Sequence, residues 1–132
     1  MAFRYTLTAT IPAPPRAVYD AWLASRAHSA MTGAAAKVSA KKGGRFTAWD
    51  GYISGRNLTL VPGRRIVQAW RTTQFAETDP DSELEILLAP AKTGTRLTLR
   101  HRNVPDGHTG YRDGGWRDFY FTPMKAYFRQ RR

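Results

Sequence analysis

Apolar and polar side chains alternate from the start of the chain. Phe3, Tyr5, Leu7, Ala9 and Ile11 fall on one face and Arg4, Thr6, Thr8 and Thr10 on the other, which predicts a half-buried strand. The prolines of "PAPP" end it, because proline has no N–H for a ladder, and Pro15 can open a helix. The period then changes. In "PRAVYDAWLASRAHSAMTG", Val18, Tyr19, Trp22 and Leu23 recur at helical spacing and Gly33 is placed to stop the helix, with a break expected near Arg26–His28.

From there to about residue 103 the pattern is that of strands separated by turns. The predicted strands are "AAAKVSA", "GRFTAWD", "YISGRNLTLV", "RIVQAWRTTQF", "SELEILLA" and "TRLTLRHRN". Between them lie the turn signals Lys42-Gly43-Gly44, Asp50-Gly51, Pro62-Gly63, Asp79-Pro80 and Thr93-Gly94. Asp50-Gly51, between aromatic-bearing strands, is the strongest hairpin signal.

The last twenty residues, "DGGWRDFYFTPMKAYFRQRR", return to a helical period. Trp116, Tyr120, Met124 and Tyr127 share one face, which Phe121 and Phe128 widen. Asp113 is the expected N-cap, and Lys125, Arg129, Arg131 and Arg132 suit the negative end of the helix dipole. Pro123 cannot donate to the carbonyl of Phe119, so a bend is expected within a turn of Phe119, with a small cavity beneath it.

One strand, a helical interruption, about six antiparallel strands and a terminal helix make an α+β chain. Short turns curl such strands into a meander whose concave face needs a cover, and the terminal helix is the element long enough to provide it. Residues 1–132 are expected to form a single domain, since no repeat, low-complexity segment or second domain is visible. No long apolar run or signal-like start is present, so membrane insertion and secretion are not expected. The absence of cysteine removes disulfides, thiol nucleophiles and thiolate metal sites, and makes the cytoplasm the default address.

The net charge of +11, from 21 Lys and Arg against 10 Asp and Glu, favours anionic partners or a solvated basic surface. Strand alternation decides part of this. Leu84, Ile86 and Leu88 face inward with Leu97, Leu99 and His101, while Arg96, Arg100 and Arg102 face outward with Glu83 and Glu85. If the turn centres on Lys92-Thr93, Glu85 lies opposite Arg100 and Glu83 opposite Arg102, so the arginine row is a partly neutralised sheet face. Readers of single-stranded nucleic acid interleave exposed aromatics with basic groups, whereas here the aromatics fall on inward faces, apart from Trp49 and Tyr111, whose facing is open. Nucleic acid is therefore not an expected partner.

The order of elements resembles the helix-grip architecture of the START and Bet v 1-like superfamily (SRPBCC). More narrowly, "GGRFTAWDGYISGRNLTLVPGRRIVQAWR" resembles the central strands, and "VPDGHTGYRDGGWRDFYFTPMKAYF" the closing segment, of the domain at the C-terminus of activators of the heat-shock-protein-90 ATPase. The chain resembles the stand-alone, bacterial-type version, without the N-terminal domain that makes the main chaperone contact. The resemblance implies six to seven strands wrapped on a long C-terminal helix, with an apolar cavity between them.

The expected cavity lining is Phe46, Tyr52, Trp70, Leu97, Leu99 and His101 from the sheet and Trp116, Tyr120, Met124 and Tyr127 from the helix. In "VQAWR" either Trp70 or Arg71 faces inward; the latter would be a buried anion anchor. His28, His101 and His108 are dispersed, and no phosphate-loop, metal or Gly-x-Ser-x-Gly spacing occurs, so no cofactor, metal or catalytic residue is assigned. Three classes follow: a binder of a small hydrophobic or amphipathic molecule, a module contacting a chaperone or other acidic protein, and a cyclase-type enzyme using His101. Monomer and homodimer both remain open.

Overall fold

The computed structural model of the chain describes residues 2–130. Seven strands form one antiparallel sheet: β1 (Ala2–Ile11), β2 (Lys37–Val38), β3 (Arg45–Ala48), β4 (Ile53–Val61), β5 (Arg65–Thr72), β6 (Ser82–Ala91) and β7 (Gly94–Pro105). Their order across the sheet is β1-β7-β6-β5-β4-β3-β2. Only β1 leaves the sequential meander. Helices α1 (Pro15–Trp22) and α2 (Ser25–Thr32) carry the chain from one edge to the other, and β1 then pairs with the last strand. That pairing sets Tyr5 opposite His101, Leu7 opposite Leu99 and Ala9 opposite Leu97.

The expected cross-strand register holds. Glu83 pairs with Arg102 and Glu85 with Arg100 around a turn at Lys92-Thr93. Leu84, Leu97 and Leu99 have no exposed surface and His101 only 1%, so this face is the core side. On the outer face Glu85 is nonetheless buried, covered by Arg65 at 2.7 Å and flanked by Arg102 at 3.4 Å and Arg100 at 3.8 Å. In β5 it is Gln68 and Trp70 that turn inward. Arg71 points away and is held by the Asp81 carboxylate at 2.8 Å and the carbonyls of Ala76 and Asp79. It is no buried anion anchor.

Several boundaries differ from the sequence expectation. The first helical run breaks at Leu23–Ala24, where Ala24 is extended, rather than near Arg26–His28. The break lets Trp22 and His28 both turn toward the core, and Gly33 ends α2 in the left-handed region as expected. Only Lys37 and Val38 of "AAAKVSA" join the sheet. The β3–β4 turn is centred on Trp49 and Asp50, with φ of 52° and 59°, and the Gly51 N–H closes it onto the Ala48 carbonyl. A bulky residue at positive φ costs on the order of 1–3 kcal/mol. Asp50 holds the turn by exchanging two hydrogen bonds with the Ala35 backbone, and Trp49 packs edge-on against Phe119.

The terminal segment is built from two wide turns, Tyr111–Gly115 and Arg117–Phe121, followed by α3 (Thr122–Arg129). Its first turn is interrupted at Gly114, which takes φ 144°. Asp113 is not an N-cap: its carboxylate is gripped by Arg112 at 2.7 and 3.2 Å. Pro123 does not break the helix either. The Thr122 N–H reaches back five residues to the Arg117 carbonyl while Phe121 and Thr122 keep helical angles. A widened turn makes room for the proline ring while the flanking backbone stays helical. Arg131 and Arg132, assigned to the end of the helix dipole, lie outside the described residues.

Candidate functional site

Beneath Pro123 the stripe of the terminal segment is packed, and the space that opens within a turn of Phe119 lies on the N-terminal side of that residue. Trp116 and Met124 are fully buried and Tyr120 is 2% exposed. The covering layer is α1 and α2: Trp22 lies 4.9 Å from the Tyr120 ring, and His28 donates from Nδ1 to the Trp22 carbonyl at 2.8 Å. His28 Nε2 then accepts the Tyr120 hydroxyl at 2.9 Å. Burial lowers the His28 pKa and raises that of Tyr120, so both stay neutral. Nearby, Trp22 donates to Gln68 and Gln68 to Asn57, and Asn57 secures the carbonyls of Ser39 and Lys41. This end is sealed.

The other end is open. A cavity of about 410 Å³ lies between the ends of β5 and β7, the loop after β5 and the start of the terminal segment. Trp70 is its hub: His101 lies at 4.8 Å, Tyr111 at 5.2 Å, Trp116 at 5.5 Å and Phe75 at 6.2 Å between ring centroids. Tyr52 and Phe119 complete the walls, and Phe119 is 48% exposed at the mouth. Gly115 lets Tyr111 lie along the wall, because a Cβ there would come within 3.1 Å of the Tyr111 ring.

The floor is a hydrogen-bond chain whose direction follows from one donor. Ser82 Oγ–H donates to the Trp70 carbonyl at 2.8 Å, so its oxygen accepts from His101 Nε2–H at 2.7 Å. Nδ1 is then an acceptor for the Tyr5 hydroxyl at 2.9 Å, and Tyr5 oxygen accepts from Trp116 Nε1–H at 2.9 Å. This chain fixes the tautomer of a neutral imidazole. Burial lowers the His101 pKa to about 3 and raises that of Tyr5, partly offset by the Trp116 hydrogen bond. A histidine held neutral at that value, with both nitrogens engaged, is a weak general base near neutral pH.

Of the ten residues expected to line a cavity, the structure brings Tyr52, Trp70 and His101 to this one. Phe46, Leu97, Leu99, Trp116, Tyr120 and Met124 are buried in the core, and Tyr127 is half-buried beside Phe128. Tyr5, Phe75, Tyr111 and Phe119 were not assigned to the site from sequence. Tyr5 had a usable signal: an inward position on a strand that must pair with an edge of the meander. Phe75 had none, since it was read as the end of a strand. Among the described residues no cluster of three or more His, Asp or Glu side chains is placed to hold a metal ion, and no helix is long and apolar enough to cross a membrane.

A curved antiparallel sheet closed by a C-terminal helix, with an opening at one end, defines a helix-grip protein. Within that class the chain belongs to the family described as activator of Hsp90 ATPase homolog 1-like protein, which it matches over residues 12–129. It is 28% identical over 125 residues to the human activator of 90 kDa heat shock protein ATPase homolog 1, covering 95% of this chain and 37% of that protein. A 31% match to the mouse homolog 2 covers 69% of this chain and 27% of that protein. The chain thus spans between about a quarter and little more than a third of the length of these curated relatives. Among solved structures, an HSP90 activator from Plasmodium falciparum superposes with a TM-score of 0.86 at 22% identity, covering 95% of both chains. A protein from Chromobacterium violaceum gives 0.73 at 29% identity, over 93% of this chain and 94% of its own.

Proposed function

We propose that the chain binds a small hydrophobic or amphipathic molecule in the open-end cavity, without catalysis. The observation that carries this reading is the cavity itself: about 410 Å³, walled by Tyr52, Trp70, Phe75, Tyr111 and Phe119, with a polar floor whose hydrogen bonds are already made internally. Apolar walls with a few fixed polar groups in a concave space of this size suit a drug-sized ligand. Titration with N-phenyl-1-naphthylamine, a neutral lipophilic fluorophore, tests it. One saturable site is expected, weakened about tenfold in Phe119→Ala, since an aromatic wall contributes roughly that much. No saturable binding, or binding indifferent to Phe119→Ala, would overturn it.

A second reading rests on the relatives, two of which are named as activators of a 90 kDa heat shock protein ATPase. In it the chain contacts such a chaperone, or another acidic protein, through the arginines on the outer face of the sheet, Arg96, Arg100 and Arg102. Binding to a purified 90 kDa heat shock protein is then expected to fall steeply between low and high salt and to survive Phe119→Ala. Failure to bind at low salt removes this reading.

A further inference from the structure

The cavity differs in charge from the rest of the molecule. The chain carries 21 lysines and arginines, yet among the described residues none of them lines this space; its charged lining residues are Asp113 and Asp118. Each carboxylate is paired with the arginine preceding it, Asp113 with Arg112 at 2.7 Å and Asp118 with Arg117 at 3.0 Å. Arg112 and Arg117 line a neighbouring groove with Lys125 and Phe121, on the β1 side of the terminal segment, whereas Asp118 lines only the aromatic cavity and Asp113 reaches both. The two acidic residues therefore border the cavity, whereas Arg112 and Arg117 border the neighbouring groove. Arg71, stacked over Phe75 at 5.4 Å, is already paired with Asp81 at 2.8 Å.

Resting on the cavity-binding reading, we propose that this site selects an aromatic organic cation and discriminates against carboxylates and other anions, despite the net charge of +11. Three features act in the same direction. Trp70, Tyr111 and Phe119 line the cavity, and aromatic rings attract a cation held over their faces. The rim carboxylates, solvent-exposed and each paired with an arginine, add a modest attraction that salt screens. The floor offers an anion no charge, because the His101 ring is neutral and both its nitrogens are bonded. An anionic ligand would lose its hydration there and gain no cation in return.

The test is a matched series on one skeleton, measured by isothermal titration calorimetry at moderate salt: (2-naphthylmethyl)trimethylammonium, 2-naphthalenemethanol and 2-naphthylacetate. The ammonium is expected to bind about tenfold more tightly than the alcohol, in line with a cation desolvated against aromatic faces, and the carboxylate more weakly than both. Asp118→Asn, at an exposed position, is expected to reduce the ammonium-to-alcohol ratio about threefold while leaving alcohol affinity unchanged. A carboxylate that binds as tightly as the ammonium, or a ratio untouched by Asp118→Asn, overturns the inference while leaving the cavity-binding reading intact. If none of the three binds, the cavity-binding reading fails and the inference with it.

Discussion

The two ends of the space between sheet and terminal segment use the same materials and reach opposite results. At the sealed end Trp22, His28, Tyr120 and Met124 interlock; at the open end Trp70, Phe75, Tyr111 and Phe119 stand around a cavity. Each end buries a neutral histidine bonded to a tyrosine, His28 to Tyr120 and His101 to Tyr5. What differs is the cover. Helices α1 and α2 add a second layer over the sealed end, while the open end has only the loop after β5 and the start of the terminal segment. An aromatic stripe therefore becomes core or wall according to whether another element reaches it.

Trp116 is the partition between the two ends, so its removal should break the comparison most. Trp116→Ala is expected to lower stability by about 4 kcal/mol, the scale for deleting a buried indole and leaving a cavity, read by urea denaturation. A loss below about 1 kcal/mol would mean that the partition is not packed as described. Next comes Tyr5→Phe, which keeps the ring but leaves His101 Nδ1 and Trp116 Nε1–H without their partner. About 2 kcal/mol is expected, because two buried polar groups lose their hydrogen bond.

The histidines sharpen the comparison through pH. Both have folded-state values below the unfolded value of 6.5, so the unfolded chain binds more protons once the pH drops below that point. Stability is then fully present above about pH 6.5 and declines as pH falls toward 3, where His101 itself titrates. Each histidine contributes a slope of about 1.4 kcal/mol per pH unit in its window. His101→Phe should remove one such share of the slope; an unchanged slope would mean that the ring is already protonated. The smallest effect is at the mouth. Phe119→Ala should change stability by no more than about 0.5 kcal/mol, as for an exposed position, although it weakens probe binding. A large loss there would mean that the open end is core after all.

The alternation of apolar and polar residues determined much of the fold: β1, the turns of the meander, the Glu83–Arg102 and Glu85–Arg100 pairing, and the inward setting of His101. These follow from local geometry, since side chains on a strand alternate in facing and a two-residue turn fixes register. The terminal stripe was also legible as buried. Which end of it would pack and which would line a space was not, because that depends on α1 and α2 crossing over residues about ninety positions later in the chain. The same holds for the Tyr5–His101 contact, across 96 residues, and for the wide turn that absorbs Pro123. Local pattern chose the faces; the tertiary arrangement alone decided what each face meets, and so left a cavity among the aromatics around Trp70 while packing those around Tyr120 closely.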